Sequence, residues 1–341
     1  MKKLLGIAAF CVFAATAFAQ QKPQYTQYLL NNYLHNPGFA GIYDYTDARV
    51  GYRNQWTGLS GAPQTFFGSV HGSFGKKERL YTLPLRGASP DDFNGNDLIM
   101  PAKKQRFSKH GIGGYIVHDQ TGPSGFTGGY VSYAYHVGLD KKDKIKLAMG
   151  LTAGLMQFRL NSNEIDFYDN AGERLKGGAF TLLRPDLAAG VWLYSDNFYV
   201  GYSANQLLQN KLSFSGEYNQ GTGTNKLNVH HFVTAGVKLN VSEDIALVPS
   251  TMLKYVNPAT PSFDVNLRAH YQRLLWLGVS YRNQDAVSGL LGVNLGRNLS
   301  LGYSYDLITS SIKSYASGSH EIVLGVRFAG KGKEINPEIL Y

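Results

Sequence analysis

Leu299-Ser300-Leu301-Gly302-Tyr303-Ser304-Tyr305-Asp306-Leu307 is the stretch that decides the fold. Leu299, Leu301, Tyr303, Tyr305 and Leu307 fall at every second position, with Ser300, Gly302, Ser304 and Asp306 between them. Successive side chains in a strand point to opposite faces, so this stretch has one apolar and one polar side. Phe263, Val265, Leu267, Ala269 and Tyr271 repeat the pattern against Asp264, Asn266, Arg268 and His270. Ile322, Leu324, Val326 and Phe328 do so against Glu321, Val323, Gly325 and Arg327. Such alternation fits a sandwich whose polar face meets water, and equally a membrane barrel whose polar face is enclosed. Strand length and number separate the two.

Fourteen strand candidates lie at 46–56, 64–74, 110–118, 126–138, 144–159, 186–195, 198–208, 229–240, 244–256, 263–271, 274–282, 286–295, 298–307 and 320–328. Most run nine to thirteen residues. That length suits a tilted membrane-spanning strand of about 9–11 residues better than the roughly 5–6 of a soluble sheet. Short turns at Asp140–Asp143, Asp196-Asn197, Asn240–Glu243, Gln272-Arg273 and Gly296-Arg297 alternate with longer connections at 161–185, 209–228 and 308–319. A barrel with both ends in the periplasm has this alternation of short inner turns and longer outer loops. The fold class is therefore all-β, an outer-membrane antiparallel β-barrel of about fourteen strands. Pro249, inside one candidate, predicts a bulge or bend. Tyr81, Tyr199, Tyr271, Tyr303 and Phe328, at strand ends, read as interfacial girdle residues.

The ends and composition agree. Lys2 and Lys3, the uncharged run Leu4 to Phe18 and the small-x-small site Ala17-Phe18-Ala19 read as a signal peptide over 1–19. Cys11, the only cysteine, lies inside it, so no disulfide holds the exported chain. After Phe18 no stretch approaches the roughly 20 apolar residues of a membrane helix, which excludes a polytopic helical protein. Charged residues make up 17% of the 341 residues, below the usual ~25%, while 23 Tyr, 18 Phe and 39 Gly are high. A lipid-facing surface over a tightly packed lumen has that composition.

Residues 20–45 precede the first strand and carry Tyr25, Tyr28, Tyr33 and Phe39. A segment so aromatic is expected to fold into the lumen as a hatch or plug, with a short helix from about Gln24 to Tyr33 before the Asn36-Pro37 turn. The barrel proper is 46–328, interrupted on the periplasmic side by a long connection, 75–109, and followed by a periplasmic tail, 329–341. That connection has a net charge of +4; it reads either as a solvated loop or, through Lys76, Lys77, Arg79, Lys103, Lys104 and Arg106, as a candidate docking surface for an acidic periplasmic partner or for inner-leaflet phosphates. Most of the formal +9 thus falls in the signal peptide, in 76–109 and in 140–146, and supports no nucleic-acid partner. Inward parity predicts a polar network in the lumen from Lys254, Asp264, Arg268, His270, Asp306 and Arg327.

Chemistry has no foothold in the pattern. His136, His230, His231, His270 and His320 accompany no Gly-x-Ser-x-Gly elbow, and His230-His231 point to opposite strand faces. Glu164, Asp166, Asp169 and Glu173 match no regular calcium spacing and read as a solvated outer loop. Gly111-Ile112-Gly113-Gly114 and the glycines from Gly125 to Gly129 lack a phosphate-loop Lys-Ser/Thr and read as strand curvature and close lumen packing. The expectation is a protein without catalytic residues, cofactor or metal.

Several short motifs then carry a resemblance. Gln24-Tyr25-Thr26-Gln27-Tyr28, Asn36-Pro37-Gly38-Phe39-Ala40-Gly41, Tyr52-Arg53-Asn54-Gln55-Trp56 and Gly61-Ala62-Pro63-Gln64-Thr65 open the series. His118-Asp119-Gln120-Thr121-Gly122-Pro123, Tyr194-Ser195-Asp196-Asn197-Phe198-Tyr199, Leu253-Lys254-Tyr255 and Trp276-Leu277-Gly278-Val279-Ser280-Tyr281-Arg282 continue it. Gly302-Tyr303-Ser304-Tyr305-Asp306 and Gly318-Ser319-His320-Glu321-Ile322-Val323-Leu324-Gly325 close it. In this order and spacing the chain resembles the PorP/SprF family of the bacterial type IX secretion system over almost all of its mature length. It departs from the family in the longer 75–109 connection and the 329–341 extension. The resemblance implies an outer-membrane barrel serving export, surface attachment or gliding motility. It further implies protein partners: a large secreted cargo held through its C-terminal sorting domain, and periplasmic secretion or gliding components. A fatty-acid-transporter-like barrel for a small hydrophobic molecule, which also combines fourteen strands with an N-terminal hatch, is the alternative; the charged inward residues weigh against it.

Overall fold

The computed structural model of the protein describes residues 22–77, 107–165, 178–211 and 226–328. The strands are β1 (Thr46–Asn54), β2 (Gln64–Lys77), β3 (Ser108–Thr121), β4 (Ser124–Gly138), β5 (Lys146–Asn161), β6 (Ala179–Tyr194) and β7 (Phe198–Asn205). They continue as β8 (His230–Val237), β9 (Leu239–Asn240), β10 (Ile245–Val256), β11 (Ser262–Tyr271), β12 (Leu275–Arg282), β13 (Ala286–Leu295), β14 (Leu299–Ile308) and β15 (Ser319–Phe328). Each pairs antiparallel with its neighbour in sequence, except that β8 and β9 both pair with β10, and β15 returns to pair with β1 from Thr46↔Phe328 to Asn54↔His320. The sheet has no free edge. β8 and β9 are two pieces of one spanning strand, so the molecule is a closed fourteen-strand barrel. Among the described residues no helix is long and apolar enough to cross a membrane.

Burial resolves the choice between sandwich and barrel. On β11, Asp264 is 1% and Arg268 2% exposed, while Val265 and Leu267 between them are 49% and 44% exposed. On β14, Ser304 and Asp306 are buried and Leu307 is exposed. A water-soluble sheet would be inverted; charged residues inside and leucines outside require lipid as the outer solvent. The protein is an outer-membrane barrel. Thr46 and Phe328 share one rim with the three-residue turns 195–197, 272–274 and 296–298, and this rim is periplasmic. β2 to β6 are longer than the other staves, and the outward residues of β3, β4 and β5 turn polar near the outer end, at His118, Gln120, Thr127, Gln157 and Arg159. This side of the wall therefore rises past the lipid band.

Four sequence expectations need correcting. β6 begins at Ala179, well before 186, so the outer connection expected at 161–185 is confined to 162–178. Pro249 makes no bulge: Ser250↔Gly236 and Leu247↔Leu239 keep a single register across it. Lacking an N–H, Pro249 only removes a rung from the ladder, which is why β8 and β9 are separate. The extra residue sits in β2 instead, where the register with β3 shifts between Phe74 and Lys77 and Gly75 takes φ +60°. Tyr199 is not a girdle residue, because Val200 and Tyr202 take the outward positions of β7 and turn Tyr199 inward to stack on Trp192 at 4.9 Å. Tyr271 and Phe328 do face outward; Tyr81 lies outside the described residues.

Residues 22–45 run through the lumen without the expected helix. Three 3-10 turns, Tyr28–Leu30, Asn32–Leu34 and Pro37–Phe39, replace it. A continuous α-helix would send its side chains around one axis at fixed spacing, whereas these short turns let successive residues reach different staves. Asn36 sets the last turn, its Oδ1 accepting from the Gly38 N–H at 2.9 Å while its Nδ2 donates to the Val191 and Tyr202 carbonyls at 3.0 Å. At Gly111 and Gly150 the strand wall gives way to the segment, since a Cβ there would collide with the backbone of Ala40 and Pro37 respectively.

Candidate functional site

The segment enters the described structure at Lys22, among outer-end residues such as Thr121, Phe158, His230 and Val256. It leaves at Asp44, which meets Lys76 at 2.6 Å and Lys109 at 3.2 Å on the periplasmic rim. Between them it bonds to staves around the whole ring. Tyr28 Oη accepts from Asn266 Nδ2 at 2.6 Å, Asn31 Nδ2 donates to Ser69 Oγ at 2.8 Å and Tyr33 Oη donates to Ser132 Oγ at 2.9 Å. Ser203 and Asn205 both donate to the His35 carbonyl, and Lys109 Nζ donates to the Ile42 carbonyl. Tyr25, Tyr28, Tyr33 and Phe39 are all buried, Phe39 lying edge-on to Trp192 at 5.2 Å.

The firmest grip is near the outer mouth. Glu321 accepts the backbone N–H of Thr26 at 2.7 Å and of Gln27 at 3.1 Å through its two carboxylate oxygens. Arg53 donates to Thr26 Oγ1 at 2.7 Å, to Glu321 Oε2 at 3.1 Å and to Asp306 Oδ2 at 2.7 Å. Arg282 reaches the same Thr26 hydroxyl at 3.1 Å and Asp285 at 2.9 Å. Asp264 lies 3.6 Å from Arg282 and accepts from Lys254 Nζ at 2.7 Å. Charges thus alternate along Glu321, Arg53, Asp306, Arg282, Asp264 and Lys254, crossing from β15 and β1 to β10. Each ion of this chain of six has an opposite neighbour, the condition for charges to survive out of water. Thr26 sits at the centre, donating its hydroxyl proton to Asp306 at 2.8 Å while accepting from both arginines.

A family model described as type IX secretion system membrane protein PorP/SprF matches residues 17–326. The chain belongs to the PorP/SprF family. Among curated proteins, none matches its sequence. Among solved structures, the Ralstonia pickettii toluene transporter TbuX is similar at 8% identity, covering 87% of this chain and 92% of its own, with a TM-score of 0.49. A Pseudomonas aeruginosa FadL homologue is similar at 10% identity over 86% and 92%, TM-score 0.48. The translocator domain of NalP from Neisseria meningitidis is similar at 9% over 84% and 88%, TM-score 0.38. At these values the likenesses say nothing of what the PorP/SprF barrel does.

The six lumen residues named from sequence divide into two groups in this PorP/SprF chain. Lys254, Asp264 and Asp306 join the ion-pair chain. Arg268, His270 and Arg327 lie nearer the periplasm: Arg268 sits 5.8 Å from the Trp276 ring, His270 flanks the same ring, and Arg327 donates to Asn294 Oδ1 at 3.0 Å. Of the basic docking candidates, Lys76 pairs with Asp44 and Lys77 ends β2. Arg79, Lys103, Lys104 and Arg106 lie outside the described residues, as do 1–19, 329–341 and, in the acidic loop, Asp166, Asp169 and Glu173.

Sequence reasoning missed Arg53, Arg282, Glu321 and Thr26. A signal was available. Tyr-Arg-Asn-Gln occurs twice, at 52–55 and 281–284, and both arginines end on the Thr26 hydroxyl. In each copy the tyrosine faces lipid, at 41% and 45% exposure, and the arginine faces the lumen, at 1% and 2%.

Proposed function

We propose that this barrel receives and holds one particular large secreted surface protein, of adhesin or gliding type, through that protein's C-terminal sorting domain, and that its periplasmic face couples to type IX secretion components. The observation that carries the reading is the occupied lumen. Residues 22–45 are bonded to the wall from the outer mouth to the periplasmic rim, so the lumen is taken up by the chain's own segment and the barrel's two faces are what it offers to partners. Membership of a secretion-system family supports a role in export by docking, without chemistry on the cargo. By sequence, Lys76, Lys77, Arg79, Lys103, Lys104 and Arg106, in and beside the connection between β2 and β3, suit an acidic partner. A fatty-acid passage would need an apolar track, and the ion-pair chain across the lumen opposes it.

A deletion strain tests this. Loss of one surface protein from the outer membrane, with fatty-acid uptake unchanged, is the expected result; normal display of every candidate cargo would sink the proposal. Replacing the basic docking residues with Gln should release periplasmic components in co-purification while leaving the barrel heat-modifiable on gels.

A further inference from the structure

Above the ion-pair chain the lumen holds a partly open cavity of about 530 Å3. Outer ends of β3, β4, β5, β8, β10 and β11 with the adjoining residues 227–228 and 257–260 form most of its wall, and Lys22–Tyr25 and His35 of the lumen segment form the rest. Two kinds of surface meet in it. Tyr25, Phe126, Phe158 and Phe232 supply aromatic walls. Lys22, His35, His230 and Lys254 supply the basic groups of the lining. His230 is 6% exposed, and its Nε2 has no hydrogen-bond partner. Lys22 forms no salt bridge with another described residue; burial pushes its ammonium down to about 8 even though Asp186 pulls the other way.

A half-buried ammonium with no anion in direct contact and a buried ring nitrogen without a partner are both unfavourable, and a single ligand group answers both. The volume is that of a small-molecule site, mostly apolar with a few convergent polar groups. Lys254, the other ammonium in the wall, is already paired with Asp264 at 2.7 Å, so the ammonium of Lys22 and the imidazole N–H of His230 together match one negative charge. A dianion such as a phosphate ester would meet Asp119 on the same wall, with no arginine there to hold it.

We propose that this cavity binds an aryl or alkyl carboxylate, its carboxylate between Lys22 and His230 and its apolar body among Phe126, Phe158 and Phe232. Lys22 belongs to the lumen segment and His230 to β8, so the bound acid bridges the two and fastens the outer end of the segment to the wall. The site is separate from cargo docking and stands or falls independently of it.

The test uses the full mature barrel in lipid nanodiscs, with 4-phenylbutyrate and its uncharged counterpart 4-phenylbutan-1-ol as probes and empty nanodiscs as the blank. Calorimetry should show saturable one-to-one binding of the acid, about tenfold tighter than the alcohol. Lys22→Gln and His230→Ala should each remove most of that preference and leave alcohol binding unchanged, while Phe158→Ala weakens both probes. Equal affinity for acid and alcohol, no saturable binding of the acid, or an unaltered preference in Lys22→Gln would overturn the proposal. Heat-modifiable migration confirms folding of each variant; if His230→Ala fails it, Lys22→Gln decides alone, since its side chain lies at the partly exposed start of the segment.

Discussion

Arg53 is 1% exposed yet makes three charge-assisted hydrogen bonds, to Thr26, Asp306 and Glu321. Arg53→Met would leave two carboxylates short of their shared cation, and breaking a buried pair in this way costs about 3–5 kcal/mol. Thr26→Val removes only a neutral hydroxyl from the same cluster and should cost about 1–3 kcal/mol. Urea titration of the two variants, read by loss of heat-modifiable migration, checks the order; equal effects would mean that the segment and not the charge chain carries the stability. Asp44 offers the corresponding test at the other rim. Burial raises its pKa, but Lys109 and Lys76 outweigh that and hold it below the ordinary carboxylate value. The folded state therefore takes up the proton less readily than the unfolded one. The contribution is complete above the ordinary value of about 4 and disappears as pH falls through the lower folded value. With Asp44 44% exposed, solvent keeps the contribution below about 1 kcal/mol. Hydrogen exchange at residues 42–46 should lose protection at acid pH in the native chain, and Asp44→Asn should flatten that dependence; identical profiles would refute the assignment.

At the scale of elements, the lumen segment and the strand wall fit through absent side chains. The Pro37 backbone lies against Gly150 on β5 and the Ala40 carbonyl against Gly111 on β3, where a Cβ has no room. Gly150→Val should therefore leave β5 paired to β4 and β6 while pushing the segment off the wall, an overpacking cost of about 1–3 kcal/mol. The readout is faster exchange at residues 36–40 in a barrel that still migrates as folded. Unchanged protection would show that the segment has slack there. Pro249 illustrates the complementary case, in which a strand loses one rung and keeps its register, because the lumen-facing row Ala246, Val248, Ser250 and Met252 would be turned into lipid by any one-residue slip.

For the whole molecule, closure and occupation of the lumen are separable. The ladder is continuous around the ring, so the wall does not depend on residues 24–44 for its hydrogen bonds. Deleting them should give a barrel of lower stability that conducts ions in planar bilayers, whereas the native chain stays closed. A native chain with the same conductance as the deletion would show that the segment leaves the lumen in the membrane.

The fold was legible in sequence because its determinants are local. Alternation along 299–307 or 263–271 sets which side chains face together, span length sets what the strand crosses, and fourteen such segments with both ends on one rim leave closure as the arrangement without free edges. The inward placement of Lys254, Asp264 and Asp306 followed from the same parity. Which charges would meet did not, since Arg53 on β1 and Arg282 on β12 come together only because the barrel curves and the segment passes between them. Parity assigns a side chain to a face and carries no information about the distance across the lumen. The direction of the segment, from Lys22 at the outer mouth to Asp44 at the periplasmic rim, belongs to the same class. Its aromatic content determined that it would be buried; only the closed wall, with glycines at Gly111 and Gly150 and acids at Asp306 and Glu321, decided where along the lumen each residue would rest.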